Sequence, residues 1–195
     1  MWIGLVGSEM CIRDRYWASA GKTLTALMVG IAQEDGLLSI EDSSAIYLGN
    51  GWTSLTAEQE GLIKIKHQLT MTTGLDYQVV NLNCTNPDCL TYKNSPGTNW
   101  FYHNATYSLL KDVIENATET SYNEFTNQKV KIKIGMGGSW IQLNNSDTYY
   151  STARDMARFG LLILNEGVWD EDVILNDTNY FSNMVNTSQE INKSY

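Results

Sequence analysis

Apolar positions along this 195-residue chain fall into blocks whose period changes from one to the next. Between Ala18 and Glu34, Leu24, Leu27, Met28 and Ile31 recur at i, i+3, i+4 and i+7, which is one face of a helix, and Gly36 is placed to end it. Leu37 to Leu48 is mixed and acidic, with Asp42 able to cap a short helical turn. Residues 49–61 read as a loop. Ile63 and Ile65 alternate with lysines, as the start of a short strand or helix would, and a short helix is expected to end at Gly74. Residues 76–101 carry both prolines and form a long loop, a length that in compact domains often serves function. Helical period returns from Asn104 to Thr118 through Leu110, Val113, Ile114 and Ala117. Ser121-x-x-Glu124 is a capping-box spacing that opens the next short helix. Ser139 to Leu143 predicts a strand. Ser151 to Glu166 predicts an amphipathic helix with Met156, Phe159, Gly160 and Ile163 inward and Gly167 after it. The tail from Asp170 is Asn-rich and weakly patterned, and no internal repeat is evident.

Composition narrows the class. A hydrophobic fraction of 43% and a charged fraction of 18% are those of a folded globular domain long enough to bury a core. No run of about 18 apolar residues exists, so no membrane span is expected. The net charge of −9 comes without a Lys/Arg cluster, which makes nucleic acid and anionic membrane poor partners. Oligomeric state is not encoded in any pattern here.

Cys84 and Cys89 bracket Thr-Asn-Pro-Asp in the polar loop. One reading is a zinc half-site, but only His67 and His103 are on offer as further ligands. The ligand supply favours the other reading, a disulfide-closed loop worth roughly 2 kcal/mol by loop-closure entropy. No metal or cofactor is therefore expected. A disulfide implies an oxidising compartment, the periplasm or the exterior. Met1 to Gly7 has an apolar run but neither a basic start nor a small-residue cleavage site, so no signal peptide is read there. Residues 1–15 lack periodicity and join abruptly to the first helix. They are read as a foreign junction or misread sequence, with Cys11 left out of account, and 16–195 as the domain proper.

Two short motifs carry candidate chemistry. Ser19-Ala20-Gly21-Lys22 gives S-x-x-K at the start of a helix, and residues three apart share a helix face. A serine nucleophile needs a base, which a desolvated lysine can be, and the helix N-terminus favours a developing oxyanion. The simpler reading of the motif alone is Ser19 as N-cap and Lys22 as a solvated side chain. Tyr102-His103-Asn104 ends the long loop and opens a helix. A tyrosine can relay protons and an asparagine can orient an amide substrate, although a core tyrosine before an N-cap asparagine would look the same.

Longer segments decide between these readings. "YWASAGKTLTALMVGIAQEDGLLSIED" resembles the nucleophile helix of class C β-lactamases and their relatives. "KIKHQLTMTTGLDY" is similar to the stretch that follows it, "WFYHNATYSLL" to the Tyr-x-Asn motif and its helix, and "YYSTARDMARFGLLILNEGVW" to the helix after the motif region. The matches run in order over most of residues 16–175 and are closest to the branch with 6-aminohexanoate-dimer hydrolases and family VIII esterases.

The resemblance implies an α+β fold of the β-lactamase/transpeptidase type, here mainly its helical domain. It implies a serine hydrolase acting on an amide, β-lactam or ester bond through an acyl-serine intermediate, with a small-molecule or peptide-like substrate. Ser19 would be the nucleophile, Lys22 would assist its deprotonation, Tyr102 would relay the proton, and Asn104 would contact substrate and hold Lys22. The division of labour between Lys22 and Tyr102 stays open. His67 is expected in a helix and His103 as the variable middle of its motif. The family's third motif, Lys-Thr/Ser-Gly or His-x-Gly on a C-terminal strand, does not follow Asn104; Lys133-Ile134-Gly135 lacks the hydroxyl and sits too early. The strands before the S-x-x-K helix are missing as well. A chain truncated at both ends and of low activity alone is the expectation. A penicillin-binding or sensing module that acylates without turnover, or an inactive fragment, is the alternative. Asn104, Asn116 and Asn176 each begin an N-x-T triplet, and none is expected to be glycosylated.

Overall fold

The computed structural model describes residues 14–143 and 146–189. Residues 1–13 lie outside that range, and with them nearly all of the segment read as foreign. Helices dominate, with two small antiparallel sheets.

Strand β1 (Arg15–Tyr16) leads through a 3₁₀ turn (Ala18–Ala20) into helix α1 (Gly21–Glu34), the spine of the core. Leu24, Leu27, Met28 and Ile31 are all buried, as their spacing requires, and Val29 and Ala32 join them because other elements cover α1 on several sides. Gly36 ends it at φ +73°. There Leu37 N–H donates to Ala32 O and Gly36 N–H to Gln33 O, a Schellman closure that needs a left-handed residue.

Helices α2 (Ala45–Leu48), α3 (Ala57–Gly61) and α4 (Ile65–Leu69) follow. Two local expectations change here. Asp42 does not cap α2, whose N-cap is Ser44; its carboxylate instead accepts from Ser39 N–H and Tyr47 Oη–H. Residues 49–61 are not all loop, because Thr56 and Gln59 form a reciprocal capping box that nucleates α3. His67 lies within α4, as expected.

The long loop packs as a second small core, with Leu90 fully buried beside Trp52, Ile63 and Leu75. The structure pairs Cys84 with Cys89 inside it. The loop then feeds α5 (Asn104–Ser108), which breaks at Leu109 before α6 (Leu110–Thr118). Leu110, Val113 and Ile114 of α6 face the core shared with α1. Helix α7 (Tyr122–Thr126) opens with only half of the expected box. Ser121 Oγ accepts from Glu124 N–H, whereas the Glu124 carboxylate takes Gln128 Nε2–H instead. A π turn (Asn127–Lys131) joins α7 to α8 (Ile132–Ile134).

Strand β2 (Ser139–Leu143) forms as predicted and pairs antiparallel with β3 (Ser146–Ser151), whose far edge takes β1: the order is β1-β3-β2, with Tyr16 opposite Tyr150 and Ser139 opposite Tyr150 on the other side. Ser151 therefore closes a strand. Helix α9 (Ala153–Leu164) starts two residues later behind a Thr152–Asp155 capping box. Its buried stripe is Asp155, Phe159 and Leu162, so the expected inward Gly160 is corrected to an exposed position. As far as Val185 the tail also carries more regular structure than its pattern suggests. A hairpin of β4 (Val168–Trp169) and β5 (Asp172–Val173) precedes α10 (Thr178–Val185). Helix α10 docks on α1 where Gly30 leaves room: a Cβ there would lie 2.4 Å from the Tyr180 ring, and Tyr180 Oη–H donates to Ala26 O at 2.6 Å.

Candidate active site

The backbone brings Ser19 to the surface through a chain of fixed points. Trp17 N–H donates to Tyr149 O at 3.0 Å, and its indole N–H to Ser151 Oγ at 2.8 Å. The buried Trp17 ring meets Tyr149 edge-on at 5.1 Å. The next residue, Ala18, adopts φ +47°, a left-handed turn that a β-carbon disfavours. That turn swings Ser19 away from the sheet and onto the 3₁₀ turn heading α1. Helical hydrogen bonding starts at Ala20 N–H, which donates to Trp17 O, and no acceptor among the described residues takes the Ser19 N–H. Both the hydroxyl and an amide hydrogen are thus presented together at the positive end of a 14-residue helix.

The second motif arrives from the long loop. Phe101 N–H donates to Met71 O, and Ala105 N–H to Leu82 O at 2.8 Å, which fixes both ends of Tyr102-His103-Asn104. Tyr102 Oη–H donates to Ser19 Oγ at 2.7 Å across 83 residues of sequence. Lys22 does not take the serine directly. Its ammonium lies over two aromatic faces, 5.2 Å from the Tyr102 ring centre and 5.6 Å from that of Tyr107. No hydrogen bond joins Lys22 to Ser19 or to Asn104 among the described residues. Asn104 Oδ1 is buried without a partner, and Ser19, Lys22 and Asn104 line one cavity of about 450 Å³. A buried amide oxygen without a partner is costly, which sets Asn104 apart from the other polar side chains at the cavity wall.

Tyr107 was not singled out from the sequence, yet it fastens the two motifs together. It stands three residues after Asn104 on α5, so it shares that helix face. Its hydroxyl donates to Lys22 O at 2.7 Å, and burial raises its pKa well above the ordinary tyrosine value. Beneath α1, Tyr122 Oη–H donates to Thr25 Oγ1 at 2.7 Å. The cavity wall opposite α1 carries Lys111 from α6 and Asp147 from β3, which no motif reading found because β3 itself was not read.

His103 is buried, with Nδ1 unpartnered and Nε2 3.3 Å from Asp76 O. Burial holds its pKa below the ordinary 6.5, partly offset by the Asp76 carbonyl. The neutral ring is favoured in the folded state, so the unfolded chain binds more protons once the pH falls below about 6.5. Folding stability should therefore decrease from pH 7 to pH 5, and His103→Gln should flatten that slope in denaturant melts. His67, lowered by burial and by Lys66 and Lys64, contributes with the same sign. A slope unchanged in His103→Gln would show that the buried ring does not titrate against folding.

The fold has counterparts in known proteins. The beta-lactamase family model matches residues 16–188. A beta-lactamase/D-alanine carboxypeptidase from Pseudomonas syringae superposes with a TM-score of 0.66 at 19% identity, over 89% of this chain and 56% of its own. A penicillin-binding protein from Bacillus halodurans gives 0.66 at 18%, over 87% of this chain and 64% of that one. A penicillin-binding protein homolog from Caulobacter crescentus gives 0.67 at 11%, over 84% and 58%. The chain thus spans less than two thirds of the length of these relatives. No curated protein matches the sequence at a significant level. At such identities the structural likenesses establish the fold, and the family match covers most of the chain: it belongs to the beta-lactamase family.

Proposed function

We propose that this chain builds the nucleophile side of a serine hydrolase site that opens an amide, β-lactam or ester bond through an acyl-serine. Ser19 Oγ forms the bond to the substrate carbonyl carbon. Its proton leaves through Tyr102, with Lys22 beside the Tyr102 ring to assist, and the leaving nitrogen or oxygen takes a proton as its bond to carbon breaks. In the resting arrangement Tyr102 donates to Ser19, so the sense of that hydrogen bond reverses as the serine is deprotonated. Asn104, at the cavity wall, contacts the substrate, and the Ser19 N–H at the head of α1 serves the oxyanion. The observation that carries this reading is the 2.7 Å Tyr102–Ser19 contact beside Lys22. The Cys84–Cys89 bond supports an oxidising compartment, the periplasm or the exterior, as the place of action.

The test is covalent. Treated with an alkyl fluorophosphonate, the protein should gain one adduct, and peptide mapping should place it on Ser19. An adduct on another residue, or none under conditions that label a control serine hydrolase, would remove the nucleophile assignment. Treatment with a chromogenic β-lactam separates turnover from a stable acyl-protein, the outcome expected of a penicillin-binding module.

A further inference from the structure

Three side chains of full charge line the cavity at Ser19: Lys22, Lys111 and Asp147. Lys111 and Asp147 form an ion pair with Nζ and Oδ1 3.3 Å apart, the longest of the six among the described residues. Their side chains keep only 23% and 14% exposure. Neither makes another side-chain hydrogen bond among the described residues. Lys111 therefore keeps N–H donors, and Asp147 an oxygen, for a third party. The wall has an excess of one positive charge in a chain whose net charge is −9. A cationic ligand would meet two ammonium groups, whereas an anionic one would neutralise the excess and satisfy the loose Lys111.

We propose that Lys111 is a specificity-determining residue that selects acyl donors carrying a carboxylate, with Asp147 as the resident counter-ion that holds Lys111 at the cavity wall and competes with the substrate for it. The proposal rests on the serine hydrolase reading of Ser19. Its probes are three p-nitrophenyl esters of similar length: the hemisuccinate (anionic), the butyrate (neutral) and the 4-aminobutyrate (cationic). The readout is the ratio of kcat/KM for each charged ester to that for the butyrate, in the full-length protein.

Lys111→Gln should lower the anionic-to-neutral ratio by about tenfold, the scale of one hydrogen bond to a charged group. Asp147→Asn should raise the same ratio, because it frees Lys111 from its competitor. Opposite signs for two variants of one ion pair are not the mark of a structural role, which would shift all three esters together. Equal effects on the three esters would overturn the proposal. So would an unchanged anionic ratio with a lower cationic ratio in Asp147→Asn, which would make Asp147 a cation site instead. The uncharged fluorophosphonate separates the two failures. A labelled Ser19 with insensitive ratios defeats this inference alone, whereas an unlabelled Ser19 defeats the serine hydrolase reading and this inference with it.

Discussion

Ser19→Ala is expected to lower kcat/KM for an activated ester by roughly 10⁴-fold or more, and adding Tyr102→Phe to it should cost nothing further. Tyr102→Phe alone should cost about 10²- to 10⁴-fold, the usual contribution of a positioned proton-transfer group. The reason is the single 2.7 Å contact that makes the two side chains one unit. Without the Ser19 oxygen there is no proton for Tyr102 to move, so the second substitution has nothing left to remove. Both positions are exposed, and thermal unfolding should be within a few degrees of the parent for each variant. The measurement is ester turnover of the two single variants and the double variant. Multiplicative losses in the double variant would mean that Tyr102 acts separately from the serine, and a Tyr102→Phe protein as fast as the parent would assign the relay to Lys22 alone.

The helix headed by Ser19 was legible in the amino-acid pattern for a physical reason, whereas the link between Ser19 and Tyr102 rested on the resemblance of longer segments. Burial on one side writes a 3.6-residue period into a helix, so Leu24 to Ile31 announce α1 and place Ser19 at its head. Helix α6 is marked in the same way by Leu110, Val113 and Ile114, although the break at Leu109 that puts Asn104 on a separate α5 is not. Strand β3 was not legible. Its identity comes from pairing Arg15 with Ser151 and Ser139 with Tyr150, contacts that no local window contains. Asp147, which it carries to the cavity, was hidden along with it. In α9 the failure was one of phase. Phe159, Leu161, Leu162, Ile163 and Leu164 are apolar nearly all the way round, so spacing alone could not select Leu162 over Gly160 as the inward residue. Leu161 and Leu164 remain exposed on that helix. The role of Tyr107 was within reach, since its i+3 relation to Asn104 follows from helix geometry; what the sequence does not contain is that α5 lies against the first turn of α1, where Lys22 O accepts its hydroxyl.

The largest loss of stability is expected from Trp140→Ala, at about 3–5 kcal/mol. Trp140 is a wedge where three elements meet. Its ring stacks on Tyr122 of α7 at 4.8 Å between centres and meets Tyr149 of β3 edge-on at 5.1 Å. Its indole N–H donates to Thr126 Oγ1 at 3.0 Å. The same ring passes beneath the head of α1, where a Cβ on Gly21 would lie 3.4 Å from it. Truncation removes the aromatic contacts, leaves the Thr126 hydroxyl without its donor, and opens a void two residues from Ser19. The backbone of Trp140 stays held, because Asn123 accepts from its N–H and donates to its carbonyl oxygen at 2.8 and 3.0 Å. Collapse into the void is therefore limited, which puts the cost at the upper part of the range. Trp140→Phe keeps the stack and loses the indole hydrogen bond, and should cost about 1–2 kcal/mol. Denaturant unfolding of the parent and both variants measures the series. With the head of α1 loosened, Trp140→Ala should also slow fluorophosphonate labelling of Ser19 under conditions where it remains folded. An alanine variant within about 1 kcal/mol of the parent would mean that the aromatic shelf does not support the turn that carries Ser19, and that Trp17 and Ala18 set its position without help from below.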